Sequence, residues 1–221
     1  MFPAKLMFPA KLMFEVTAAK IAATRRSLAR MQGQDKGVVS LSFFSDEEVQ
    51  VLRETALRQE FRRAQTEIKH KNRSVFQDFD VCFPAPRIDA FEVMAEQLEA
   101  TLFAASQSLP HPPFCEPFQL NDFAIQNYPV GAKGIGIHRD GARYRHVVVI
   151  VTLDGESRLF TCDHRQGGGK RRIDDRPGRI VLLSASGFDG RNGEEARPLH
   201  GVDRVLGGRL SLGFRVAPTN L

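Results

Sequence analysis

His138, Asp140 and His200 are the residues of this sequence whose types and spacing point most directly to shared chemistry. His138 and Asp140 stand two apart, so on an extended strand their side chains point the same way while Arg139 points away. His200 follows sixty residues after Asp140, just ahead of another short strand-like segment. Two imidazoles and one carboxylate form a facial donor set that suits non-haem Fe(II) and leaves three positions open. His70, His111 and His164 stand alone and read as ordinary surface or core histidines.

Nine residues past His200 comes Arg209-Leu-Ser-Leu-Gly-Phe-Arg215. With a period of two, Arg209, Ser211, Gly213 and Arg215 share one face and Leu210, Leu212 and Phe214 the other. A buried guanidinium without an acidic partner is costly, so this face predicts a dianionic ligand, such as a small dicarboxylate that also chelates the metal.

These residues need strands to carry them. The pattern predicts strands at Asp122–Tyr128, Gly134–His138, Val147–Leu153, Arg158–Cys162, Arg179–Ser184, Gly201–Val205 and Arg209–Val216. Closely spaced strands without intervening helices indicate a sandwich or jelly roll. Ahead of them, Val38–Phe44 and Phe76–Phe83 read as strands, and Lys69–Arg73 as a basic loop. Ser45-Asp-Glu-Glu48 is a capping box opening a helix that runs to about Arg63. A second helix spans about Asp89–Gln107, with Phe91, Met94, Leu98, Leu102 and Phe103 at helical spacing. The expected class is α+β, with the helices of the first half supporting one sheet.

The chain opens on Met-Phe-Pro-Ala-Lys-Leu, repeated at once as residues 7–12, which reads as a duplication or an uncertain start. Phe14–Met31 reads as a basic helix. Residues 1–36 are therefore expected to form a basic surface helix or loosely attached arm, and residues 37–221 a single domain. The 221 residues suffice for a substantial core, and 42% hydrophobic with 26% charged residues is ordinary globular composition. No apolar run approaches the ~18 residues of a membrane-spanning helix. Three well-separated cysteines, without a C-x-x-C pair, argue against a disulfide framework or structural zinc and suit a cytoplasmic location. A net charge of +5 favours polyanions only mildly.

The strings Asn127-Tyr-Pro-Val-Gly131, Ile135-Gly-Ile-His-Arg-Asp140, His200-Gly-Val202 and Gly208-Arg-Leu-Ser-Leu-Gly-Phe-Arg215 resemble the AlkB-like branch of Fe(II)/2-oxoglutarate dioxygenases. The resemblance covers about residues 118–216. It implies a double-stranded β-helix (jelly-roll) core with N-terminal supporting helices, and an oxidoreductase using Fe(II), 2-oxoglutarate as cosubstrate and O2. It implies that His138, Asp140 and His200 ligate iron and that Arg209 pairs with the distal carboxylate of 2-oxoglutarate. Arg215 then lies near the keto-acid end, and Tyr128 hydrogen-bonds the cosubstrate. Gln126 stands where such proteins commonly have Asn, on the same strand face as Tyr128, and Ser211 is a further cosubstrate contact.

The substrate implied by that branch is an alkylated nucleobase in DNA or RNA, dealkylated through hydroxylation with loss of formaldehyde from an N-methyl group. The lid over such a base is expected within residues 64–90, where Lys69, His70, Lys71, Asn72 and Arg73 precede Phe76 and Phe79. Arg139 is a further candidate on the substrate side, and Lys170-Arg171-Arg172 a segment that would track phosphates. There is no Trp to clamp a base. A hydroxylase of a small molecule or protein side chain is the alternative, since one barrel hosts many substrates. A catalytically silent binding protein has no need of the complete triad and both arginines.

Overall fold

Residues 13–34, 37–70, 73–194 and 196–218 are described by the structure, a computed structural model. The duplicated segment at residues 1–12, and Lys71 and Asn72 of the expected lid, lie outside the described residues. Helix α1 (Ala18–Gln32) starts at Thr17, whose hydroxyl accepts from the Lys20 amide, and it buries Thr24, Leu28 and Met31 at helical spacing. The basic segment is thus docked: its charged face looks outward while Leu28 and Met31 are fully buried. Helix α2 (Asp46–Leu57) carries the capping box, with Ser45 Oγ accepting from the Glu48 amide and Glu48 accepting from the Ser45 amide at 2.7 Å. Three acids in its first turn complement the helix dipole. Helix α3 (Ala90–Gln107) buries Phe91, Met94, Leu98 and Leu102 as its spacing predicts.

Five strands lie ahead of α3: β1 (Val38–Ser42), β2 (Arg62–Arg63), β3 (Glu67–His70), β4 (Arg73–Asp78) and β5 (Asp80–Cys82). Four follow it: β6 (Asp122–Tyr128), β7 (Gly134–His138), β8 (Arg145–Gly155) and β9 (Arg158–Cys162). The last are β10 (Arg171–Arg172), β11 (Arg179–Ser184), β12 (Leu199–Asp203) and β13 (Arg209–Val216). They form a seven-stranded sheet, β1-β11-β8-β13-β6-β5-β2, and a six-stranded sheet, β10-β9-β12-β7-β4-β3. The fold is α+β with a jelly-roll core.

Two apolar layers follow from strand alternation. On the outer face of the larger sheet, Val149, Val151, Ile180, Leu182, Leu212 and Phe214 pack beneath helices α1, α2 and α3. Between the sheets, Tyr128, Val148 and Val181 meet Ile135, Leu159 and Val202 from the smaller sheet. The predicted alternation of β13 therefore holds: Leu210, Leu212 and Phe214 belong to the outer layer, with Phe214 stacked on Phe123 at 4.1 Å.

Three expectations need correction. The helix expected to run from Ser45 to about Arg63 ends at Leu57, and Arg62–Arg63 pair with Asp80 and Val81 as β2 instead. The predicted strand Phe76–Phe83 breaks at Phe79, because the chain crosses there from the smaller sheet (β4) to the larger (β5). The predicted basic loop Lys69–Arg73 contributes instead to the paired strands β3 and β4, with Lys69 opposite Ser74 and His70 opposite Arg73. Among the described residues no helix is long and apolar enough to cross a membrane.

Candidate metal centre

His138 and His200 are direct partners across β7 and β12, one at the end of its strand and the other within it, rather than ahead of it as expected. Two steps along, the pairing shifts: Val202 faces Ile135, so three residues of β7 span two of β12. Such a bulge re-aims side chains. Here it lets both Ile135 and His138 face inward, while Ile137 packs outward with Phe160, Cys162 and Leu199. The strands are able to come this close because Gly134 has no side chain; a Cβ there would lie 2.0 Å from the Val202 carbonyl oxygen.

The two rings lie 4.3 Å apart, centroid to centroid. His138 Nδ1 sits 2.8 Å from the Gly136 carbonyl and His200 Nδ1 3.1 Å from the Pro198 carbonyl. A carbonyl only accepts, so each Nδ1 carries a proton, and the neutral form of each ring then keeps its lone pair on Nε2, the tautomer a metal ligand needs. Asp140, just past the end of β7, places Oδ2 3.4 Å from His200 Nε2. Burial and the neighbouring His200 hold the His138 pKa down to about 4. Burial alone would raise Asp140, but the Arg215 guanidinium and both imidazoles outweigh it and hold its pKa to about 2. At neutral pH His138 is therefore a neutral imidazole and Asp140 a carboxylate.

In kind and adjacency these donors fit a 2-His-1-carboxylate site. The Nε2–Oδ2 separation is one that two ligands, each about 2 Å from a shared ion, can have. As the side chains stand, no group of three His, Cys, Asp or Glu among the described residues forms a ready coordination set. A metal would be taken up with adjustment of these side chains.

Arg215 anchors the carboxylate: its Nε donates to Asp140 Oδ1 at 3.0 Å. The same guanidinium reaches Asp122 Oδ1 at 3.5 Å and lies over the Tyr144 ring. Tyr144 and Arg143 in turn donate to Asp122 Oδ2, at 3.1 and 3.0 Å.

At the other end of β13 the structure corrects the sequence reading. Arg209 is only 3% exposed, and it has an acidic partner within the protein. Its Nη1 donates to Asp175 and to Ser157 Oγ, and Thr152 Oγ1 donates to the same Asp175 carboxylate at 3.0 Å. Burial of Arg209 therefore does not by itself demand a ligand. Its Nε, equally buried, has no hydrogen-bond partner among the described residues. Tyr128 stands opposite Arg209 on β6 and donates to Gln126 Oε1 at 3.3 Å, which places the predicted pair on one face. Burial pushes the Tyr128 hydroxyl well above its usual pKa, against the pull of Arg209 and Arg215. Ser211, buried, lies between the two arginines on β13 and opposite Gln126.

The substrate candidates divide. Phe76 is 45% exposed on β4, with its ring packed over Gly136 of β7. Phe79 is 2% exposed and packs on Tyr128 at 4.7 Å, so it is a core residue and not part of a lid. His70 ends β3, and its side chain lies outside the described residues. Arg139 points away from the metal donors as expected, donating to the Arg197 carbonyl and to Glu194. The segment proposed to track phosphates is already engaged: Lys170 pairs with Asp203 at 3.1 Å and Arg171 with Asp163 at 2.6 Å.

Asp122, Tyr144 and Asp175 escaped the sequence reading. Asp122 had a signal, since it opens the strand that pairs with β13 and stands opposite Arg215. Asp175 had none, for its partner lies 34 residues away across a loop.

The jelly-roll core gives the chain a fold shared with solved structures that include a 2-oxoglutarate–Fe(II) oxygenase family oxidoreductase from Burkholderia pseudomallei, with a TM-score of 0.58 at 14% identity over 94% of each chain. No family model matches the chain, and no curated protein matches it in sequence. Among solved structures it is similar to a Pseudomonas putida prolyl-4-hydroxylase, with a TM-score of 0.61 at 18% identity over 90% of this chain and 100% of that one. A Trichoplax adhaerens prolyl hydroxylase, solved with a hypoxia inducible factor peptide fragment, aligns with a TM-score of 0.59 at 14% identity, covering 91% and 93%. OsALKBH1 aligns with a TM-score of 0.57 at 16% identity, covering 81% and 97%. At these identities the likeness is one of fold.

Proposed function

We propose that the protein is an Fe(II)- and 2-oxoglutarate-dependent dioxygenase whose metal is held by His138, Asp140 and His200. The observation that carries this is the in-register pair of imidazoles, each with Nδ1 turned to a carbonyl, beside a fully ionised carboxylate, all inside a jelly roll. Fe(II), with O2 and 2-oxoglutarate, supplies an oxidant able to hydroxylate a C–H bond as 2-oxoglutarate is converted to succinate and CO2. The chain's part is orientation. Gly136 and Pro198 carbonyls fix the imidazole tautomers, and Arg215 fixes the carboxylate. Arg209 and the Tyr128–Gln126 pair face the cosubstrate from the sheet opposite the imidazoles.

For the substrate we favour an alkylated nucleobase in nucleic acid. Beside the His138–Asp140 turn, Arg73 and Arg139 both pair with Glu194, at 2.6 and 3.3 Å. Arg165 joins them; burial and the neighbouring Arg73 and Arg139 push it below the usual arginine value. Three guanidiniums around one glutamate suit phosphates, and Phe76, half-exposed on β4, offers a ring on which a base could stack. Hydroxylation of a peptide side chain is the second reading, favoured by the fold shared with a prolyl hydroxylase solved with a peptide.

Succinate formation decides between them when methylated single-stranded oligonucleotides and proline-containing peptides are offered side by side. We expect turnover on the oligonucleotides, falling steeply with salt. Turnover on peptides alone would replace the first reading with the second, and 2-oxoglutarate that never binds would overturn both.

A further inference from the structure

Arg209 carries its own counter-ion. Three observations define its surroundings: Nη1 is held by Asp175 and Ser157, Asp175 is itself held by Thr152, and the buried Nε is bare. All four side chains sit at the end of β13 away from the metal donors, where the distal carboxylate of 2-oxoglutarate belongs in the reading above. An arginine with nothing beside it would meet that carboxylate with a full, unbalanced charge. This one meets it as half of a neutral pair, with its Nε and Nη2 N–H groups left unengaged by Asp175 and Ser157, the Nε–H being the buried one.

We propose that Asp175 sets keto-acid recognition in this protein, holding Arg209 in place while cancelling its charge, so that the ligand's far end is bound through Arg209 Nε as a hydrogen-bond donor rather than through net charge. The inference rests on the dioxygenase reading and adds to it a positioning residue that the sequence did not reveal. Two consequences follow. The protein's preference for a dianionic ligand over one with an uncharged acceptor at the same end is small. Removing the Asp175 charge while keeping its shape enlarges that preference and tightens 2-oxoglutarate binding, because a charge-assisted hydrogen bond is stronger than one to a neutralised group.

The test is calorimetric, on the full chain loaded with Mn(II) and kept free of O2, with 2-oxoglutarate and its 5-methyl ester as probes. In the unmodified protein we expect affinities for the two within about tenfold of each other. In Asp175→Asn we expect 2-oxoglutarate to bind about tenfold tighter or more, with the ester little changed. A lesion that merely loosened the fold would weaken both ligands. Equal or weaker 2-oxoglutarate binding by a folded Asp175→Asn would overturn the inference while leaving the cosubstrate reading standing. So would an unmodified protein that prefers 2-oxoglutarate to the ester by more than a hundredfold, a measurement that needs no variant. Failure of either keto acid to bind any form would instead sink the dioxygenase reading and the inference with it.

Discussion

Arg209 and Arg215 lie on the same face of the same strand, six residues apart, Arg209 buried and Arg215 partly buried, and both are paired with carboxylates. They differ in what those carboxylates do. Arg215 spends Nε and Nη1 on Asp140 and Asp122, so it is absorbed in holding a candidate metal ligand. Arg209 spends Nη1 on Asp175, which contacts no metal donor, and leaves Nε unused. A buried arginine announces that an acid is near, but the strand cannot say whether that acid belongs to the protein or to a ligand. Of these two, one is built into the site and one still has something to offer.

The sharpest way to break this contrast is Arg215→Met. It strands Asp140 and Asp122 in the interior without their cation, and removing one partner of a buried pair costs about 3–5 kcal/mol. Urea denaturation should show a loss of that size together with weaker Mn(II) binding, and a loss under about 1 kcal/mol would show that Arg215 anchors nothing. Leu212→Ala probes the opposite face of the strand, where a fully buried leucine meets the helices. It should cost about 2–5 kcal/mol and leave 2-oxoglutarate affinity unchanged. An altered affinity there would mean that the two faces of β13 are not independent.

Arg209→Lys separates the arginines by function. Lysine keeps a charge for Asp175 but has no Nε–H in a planar fork, so 2-oxoglutarate binding should weaken by roughly tenfold, with a stability loss smaller than that of Arg215→Met. Unchanged cosubstrate affinity would move the cosubstrate role from Arg209 to Arg215.

The smallest effect is a slope with pH, and it belongs to the metal end. Folded His138 has its pKa held to about 4 against an ordinary 6.5. Between those values the unfolded chain binds a proton that the folded state refuses, so stability falls as pH is lowered from 6.5 and the loss levels off below about 4. Denaturation midpoints taken in chelator across this range should show the slope, and His138→Asn should flatten it. A slope of the opposite sign would mean that His138 is charged in the folded protein.

Much of the architecture was legible because it is local. Period-two alternation in β6, β7, β9, β11 and β13 comes from the chain's own geometry, and the predicted bounds of these strands agree with the structure. The capping box at Ser45 is likewise a contact between residues three apart. Where neighbours in space are distant in sequence, the reading ran out. Phe79 looked like a lid aromatic until the crossing between sheets placed it against Tyr128.

The sequence by itself determined the donor types, their spacing, and the two faces of β13, since each depends only on residue chemistry and strand period. Tertiary structure alone decided three things. It brought His200 opposite His138 through a bulge between strands that are not consecutive in the chain. It supplied Asp122 to Arg215 and Asp175 to Arg209. It left the buried Nε–H of Arg209 without a partner among the described residues. The physical reason is that electrostatic balance in a low-dielectric interior is a property of the whole neighbourhood, and a strand's periodicity carries no record of which loop will fold over it.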